Sequence, residues 1–144
     1  MTKLNELTEK YSHLFPTNFY FACGDGWYNI LDCLLFGISW ELEQFHYNKL
    51  DTFVPYEKRV PVNPPEYSFR ITQVKEKFGD LRFYYSSEIV DPKILGMIRM
   101  AEMMSARTCE ITGNPGKLMI KNGFLKTVSA EKAIELGYKE TSRK

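Results

Sequence analysis

The sequence predicts a single α+β domain: a central amphipathic helix packed on a small antiparallel sheet, followed by a C-terminal hairpin and helix. Three observations carry this prediction. One long run has an apolar face at helical spacing, two short runs alternate apolar and polar residues about a turn, and a second strand–turn–strand pattern precedes a capped helix. At 144 residues the chain is long enough to bury one core and too short for two independent ones. It reads as a core over 1–108, with a proline-rich loop at 46–65, and a C-terminal unit over 109–144 packed on that core.

Leu4, Leu7, Tyr11 and Leu14 fall at helical spacing after Thr2, so Lys3 to His13 reads as a short amphipathic helix ended by Pro16. Gly24-Asp25-Gly26 then forms a tight turn, with Asp25 placed to accept backbone N–H groups at the start of the next helix. That helix has the clearest pattern in the chain. Trp27, Ile30, Leu31, Leu34, Leu35, Ile38, Leu42 and Phe45 trace one broad face, and burying each contributes roughly 1.5–3 kcal/mol. Gly37 costs it about 1 kcal/mol relative to Ala, which points to close packing or a kink.

From His46 to Pro65 the periodicity stops, and Pro55, Pro61, Pro64 and Pro65 block helix and central strand alike. A loop of this length inside a compact domain is uncommon and often carries function. Phe53, Tyr56, Lys58 and Arg59 are its candidate contact residues; the alternative is a surface arm pinned by Phe53 and Val54.

Glu66 to Lys75 and Leu81 to Ser86 read as strands joined at Gly79-Asp80. Leu81, Phe83 and Tyr85 share one face, leaving Lys75, Lys77, Arg82 and Tyr84 as an outward basic and aromatic set able to contact phosphates or stack on bases. Asp91-Pro92 starts a helix whose stripe is Ile94, Met97, Ile98, Ala101 and Met104, with the methionines read as core filler ahead of an adaptable binding surface. After a turn-dense knuckle at 109–116, Leu118–Ile120 and Phe124–Val128 form a hairpin about Asn122-Gly123. Ser129 caps a last helix over Ala130 to Leu136, Gly137 closes it, and the tail KETSRK is expected to fray.

Composition excludes several classes. The longest apolar segment, Trp27 to Trp40, is interrupted by Asn29, Asp32 and Ser39, so no membrane span is expected, and a leader-free N-terminal pattern points to the cytoplasm. Three widely spaced cysteines, Cys23, Cys33 and Cys109, argue against a disulfide scaffold. Charge runs from acidic to basic: three basic and seven acidic residues up to position 51, ten and six after position 90.

No catalytic pattern stands out. Gly24-Asp25-Gly26 lacks the Gly-Lys-Ser/Thr ending of a phosphate loop, and His13 and His46 have no neighbouring nucleophile. Asp25 and Asp32, seven apart, form a weak carboxylate pair, and Cys23 at a helix start is a candidate thiol set against a buried structural one. The chain is read as a non-enzyme.

CGDGWYNILD, QVKEKFGDLRFYY, MIRMAEMMSARTCE and CEITGNPGK together resemble a family of small proteins from tailed phages, prophages and bacteria, over roughly 20–45 and 66–133. The resemblance implies a C-x-x-C knuckle and a second Cys- or His-containing pair after the hairpin, as in a zinc ribbon. Here Cys109 is followed by Thr112, and the later pair is Ser129 and Lys132, so the site is degenerate and neither zinc nor any other cofactor is expected. Ile111, Leu118, Ile120, Phe124, Leu125 and Val128 are expected to hold the unit instead of a metal. The resemblance, the absence of a catalytic pattern and the aromatics of the proline-rich loop together point to a non-catalytic accessory protein that binds a host protein, with inhibition of a defence system as one form of that role. The alternative is a nucleic-acid-binding module that uses the basic hairpin face and the basic C-terminal third.

Overall fold

The helix predicted from Trp27 is the axis of the fold. In the computed structural model, which describes residues 2–142, Asp25–Trp27 makes a short 3-10 turn that leads into α2 (Tyr28–Asn48). Trp27, Ile30, Leu31, Leu34, Leu35, Ile38 and Leu42 are buried and Phe45 packs at their edge, as the spacing requires. α1 (Glu6–Lys10), flanked by 3-10 turns at Lys3–Asn5 and Ser12–Leu14, lays Leu4, Leu7, Tyr11 and Leu14 on the same core. Asp25 corrects one expectation. Its carboxylate accepts the N–H groups of Lys3 (3.2 Å) and Leu4 (3.2 Å), so it ties down the first helical turn of the chain and does not cap its own helix.

β1 (Arg70–Lys77) and β2 (Asp80–Ser86) form an antiparallel hairpin. β1 begins four residues later than the sequence suggests, because Tyr67 and Ser68 turn back to donate to the Pro64 carbonyl and Ser68 takes φ 47°. The turn is Phe78-Gly79, not Gly79-Asp80, with φ of 55° and 88° at its two residues as a type I′ turn needs. An irregularity between Ile71 and Gln73 shifts the alternation, so Ile71 and Val74 both face the core with Leu81 and Phe83. The edges of this hairpin are occupied. Ala22 bridges to β1 through Val74 and Glu76, and α3 (Pro92–Ser105) lies along β2. Asp91 caps α3 through the Lys93 N–H, as its position before Pro92 implies.

The C-terminal unit contains β3 (Lys117–Lys121), β4 (Phe124–Val128) and α4 (Ala130–Leu136), with Ser129 as N-cap and Gly137 left-handed at φ 86°. Two expectations fail here. The small core is made of Cys109, Met119, Val128 and Ala133 with Tyr138 against it, because the inward register of β3 is that of Met119, not that of Leu118 and Ile120; Ile111, in the knuckle, and Phe124, at the start of β4, are exposed. The tail also pairs: β5 (Lys139–Glu140) joins the free edge of β3, and Lys117 reaches Glu140 at 2.9 Å. The last two tail residues, 143 and 144, lie outside the described ones. No helix among the described residues is long and apolar enough to cross a membrane.

Candidate functional site

The glycine turn before α2 is locked against the knuckle. Gly26 N–H donates to the Glu110 carbonyl (2.8 Å), Gly24 N–H to Glu110 Oε2 (2.9 Å), and Trp27 Nε1 to the Thr108 carbonyl (2.9 Å). Glu110 is buried and also holds Lys126 Nζ at 3.0 Å, so its charge has a partner. A Cβ on Gly26 would meet the Glu110 carbonyl at 2.5 Å, so close backbone approach requires glycine there. Gly79 of the first hairpin docks on the same unit, its carbonyl accepting from Thr127 Oγ1 at 2.8 Å. The three most distinctive sequence motifs therefore meet one another inside the molecule.

The carboxylates and thiols that the sequence offers for catalysis have structural partners. Asp25 binds backbone, while Asp32 accepts from the Tyr11 hydroxyl (2.8 Å) and Lys10 (3.0 Å), so the two carboxylates serve different partners. Burial pushes the Cys23 thiol up to about 12, reinforced by Glu110 and Asp25, which is the reverse of activation. Burial also acts to raise Cys109, but hydrogen bonds from Thr112 and from the Ser129 and Ile111 N–H groups outweigh it and hold it lowered to about 7. Cys109 Sγ accepts the Thr112 N–H at 3.4 Å, and no cluster of three His, Cys, Asp or Glu side chains able to hold a metal occurs among the described residues. Thr112, Ser129 and Lys132 do not suit zinc. His13 is half-buried with its pKa lowered by burial, and its Nε2 meets Ser39 Oγ at 2.8 Å.

The proline-rich loop is organised by its arginine. The Arg59 guanidinium lies over Tyr56 (4.1 Å), Tyr47 (4.9 Å) and Phe53 (5.6 Å), and its Nε donates to the Val54 carbonyl (2.9 Å). Arg59 Nη1 is buried with no hydrogen-bond partner among the described residues, so beyond the Val54 carbonyl its charge is met by ring faces. Trp40, from α2, stacks on Tyr56 with ring centroids 5.9 Å apart. Phe53 and Tyr56 remain 70% and 57% exposed, so the loop is not pinned by Phe53. Asn63 fastens it instead, donating to the His13 and Phe69 carbonyls and accepting from the Phe69 N–H. Lys58 is exposed and outside the ring cluster.

No protein family, curated protein or solved structure matches this chain. The chemistry of its surfaces therefore carries the functional reading.

Lys75, Lys77, Arg82 and Tyr84 do share the outer face of the hairpin, with Lys75 opposite Arg82 and Tyr84 opposite Gln73. They stand apart from the Arg59 cluster in sequence and element, so the eight predicted binding residues divide into two surfaces.

One groove is not anticipated by any single motif. Between α2 and α3 lies an open, almost wholly apolar channel of about 780 Å³, lined by Cys33, Phe36, Gly37, Met97, Met100 and Met104 among others. Met97 packs on the core, with its sulfur 2.5 Å from where a Cβ on Gly37 would sit, but Met100, Met103 and Met104 are exposed and are not core filler. Phe36 is 63% exposed and borders both this groove and a smaller hollow that Trp40 also lines, so its ring stands between the methionine groove and the ring cluster. The signal was present in the sequence. MIRMAEMMS has more apolar residues than one helical face can bury.

Proposed function

We propose that this protein acts by binding another protein, as a non-catalytic accessory factor, and that the binding surface runs from the methionine groove through Phe36 and Trp40 to the Arg59 ring cluster. The observation that carries this reading is the exposed Trp40–Tyr56–Arg59 stack. Trp, Tyr and Arg are the residues most enriched among those that dominate binding energy at protein interfaces. Methionine supplies an adaptable apolar wall next to them. An amphipathic helix of the partner suits the channel, because its apolar residues at i, i+3, i+4 and i+7 form a continuous ridge of matching chemistry. From the resemblance to small phage and prophage proteins we take the partner to be a host protein, and the effect proposed for occupying such a surface is obstruction of that protein, as by a defence inhibitor.

The test is affinity capture from host lysate with the intact chain, followed by reconstitution with the purified partner. Trp40→Ala and Arg59→Ala are each expected to weaken a 1:1 complex by tenfold or more, consistent with about 2 kcal/mol for a hot-spot side chain. A partner bound equally well by both variants, or no specific partner at all, removes this reading.

A further inference from the structure

The other side of α3 has different chemistry. Its Ser105 Oγ accepts the Leu81 N–H (3.0 Å) and its Glu102 Oε2 the Phe83 N–H (3.1 Å), so the helix is held along the edge of β2. An open groove of about 710 Å³ results between α3 and the outer face of the hairpin. Arg82 enters it from β2, and Arg99 and Arg107 enter it from α3. Asp80 and Glu102 are its acidic members, and Glu102 is already engaged with the strand.

None of the three arginines makes an ion pair or a side-chain hydrogen bond among the described residues. Arg82 Nε is moreover buried with no acceptor at all, and a buried N–H without a partner is costly to maintain. Lys75, directly across from Arg82, and Lys77 add positive charge on the same face. Asp80 and Glu102 offset part of this charge, and the three arginines with Lys75 and Lys77 leave a positive excess that favours an anion.

We infer that this groove is a phosphate-binding site that takes the phosphoryl groups of single-stranded nucleic acid or of a free nucleotide. Arginine is suited to this ligand because its planar fork donates two parallel hydrogen bonds to phosphate oxygens, and three forks match a group with several acceptors. Tyr84 lies two residues along β2 on the face of Arg82, about 7 Å away at strand rise, and is 44% exposed. That places a ring at a distance suited to stack the base attached to a bound phosphate. Arg99 and Arg107 are the new members of the site, since the hairpin alone supplies Arg82 and Tyr84. The groove shares no lining residue with the methionine channel, so this inference and the protein-binding reading fail independently.

The experiment uses the intact chain with three probes: a labelled oligothymidine read by anisotropy, pyrophosphate read by NMR at the arginine Nε–H groups, and an oligoglutamate peptide as competitor. At about 50 mM salt the oligothymidine is expected to bind, to weaken steeply as salt rises, and to lose fivefold or more in affinity in each of Arg99→Gln and Arg107→Gln. Both residues are exposed, and unchanged melting of those variants separates a lost contact from a lost fold even if Arg82→Gln fails to fold. Tyr84→Ala is expected to weaken the oligonucleotide and leave pyrophosphate unaffected. Pyrophosphate binding that shifts the Arg82 Nε–H, with no oligonucleotide binding, supports the site and assigns it to free phosphoryl ligands. The inference is overturned if neither phosphate probe binds, if Arg99→Gln and Arg107→Gln bind like the parent, or if oligoglutamate competes as well as oligothymidine.

Discussion

The junction around Gly24–Trp27 and the surface around Arg59 are both rich in the residues that make this sequence distinctive, and they use them in opposite ways. At the junction, the Gly24 and Gly26 N–H groups, the Trp27 indole and both oxygens of Glu110 all have partners within the chain. On the surface, Arg59 Nη1 has none, Trp40 and Tyr56 stack in the open, and Phe53 is mostly exposed. A distinctive motif need not be a functional one. Glycine spacing here records how closely two backbones must approach, whereas function is to be sought where aromatic rings and donors remain unpaired.

The largest expected effect at the junction is that of Gly26→Ala. The added carbon meets backbone on the Cys109–Glu110 segment, which cannot move aside as a flexible side chain would. The expected loss is about 3 kcal/mol, or about 10 °C in melting temperature. Melting within about 2 °C of the parent would show that the junction has room the packing denies.

A second prediction tests the knuckle through pH. An acid whose folded pKa is depressed stabilises the fold above its unfolded pKa, and that contribution is lost as pH falls through the folded value. Cys109, lowered to about 7 from an unfolded value near 8.5, should therefore make unfolding harder by about 1 kcal/mol between about pH 6.5 and 8. Cys23 works the other way, because its thiol is pushed up to about 12, so the unfolded chain alone deprotonates above about pH 8.5 and stability falls there. The window below pH 8 keeps the two apart. His13, whose pKa is lowered by burial, also adds a rise toward neutral pH, but Cys109→Ala leaves it in place. Denaturant titrations of parent and variant should differ in slope by the Cys109 contribution; equal slopes would mean that the sulfur is not held as a thiolate.

The parts of the fold legible in the sequence are those set by local rules. The face of α2, the Asp91-Pro92 start of α3, the Asn122-Gly123 turn and the Ser129 cap each follow from spacing or from one side chain, and each is present. The failures depend on contacts distant in sequence. Asp25 binds Lys3 and Leu4 in place of its own helix, Met119 points inward because α4 covers that side of β3, and the tail becomes a strand because β3 has a free edge. The candidate site divides the same way. Phe53, Tyr56 and Arg59 are close in the chain and were legible as a group, whereas Trp40, Tyr47, Arg99 and Arg107 join their surfaces only through the packing of separate elements.

The smallest expected effect lies on the surface side. Gly96 lies inside α3 and on the wall of the methionine groove, and a Cβ there would have no heavy atom within 4 Å. Gly37, on the facing helix, has Met97 against it, so the two glycines occupy crowded and open positions across one helix pair. Gly96→Ala should therefore stabilise the protein by about 1 kcal/mol, because alanine restricts the unfolded chain and favours helix without meeting anything in the fold. A calorimetric melt should rise by about 3 °C. The new methyl group also narrows the channel, so the same variant should bind a groove-seated partner helix more weakly while being the more stable protein. A variant that is stabilised with undiminished partner binding would move the contact off this wall of the groove and onto the ring cluster. A destabilised variant would mean that Gly96 is held by a contact the open channel does not contain.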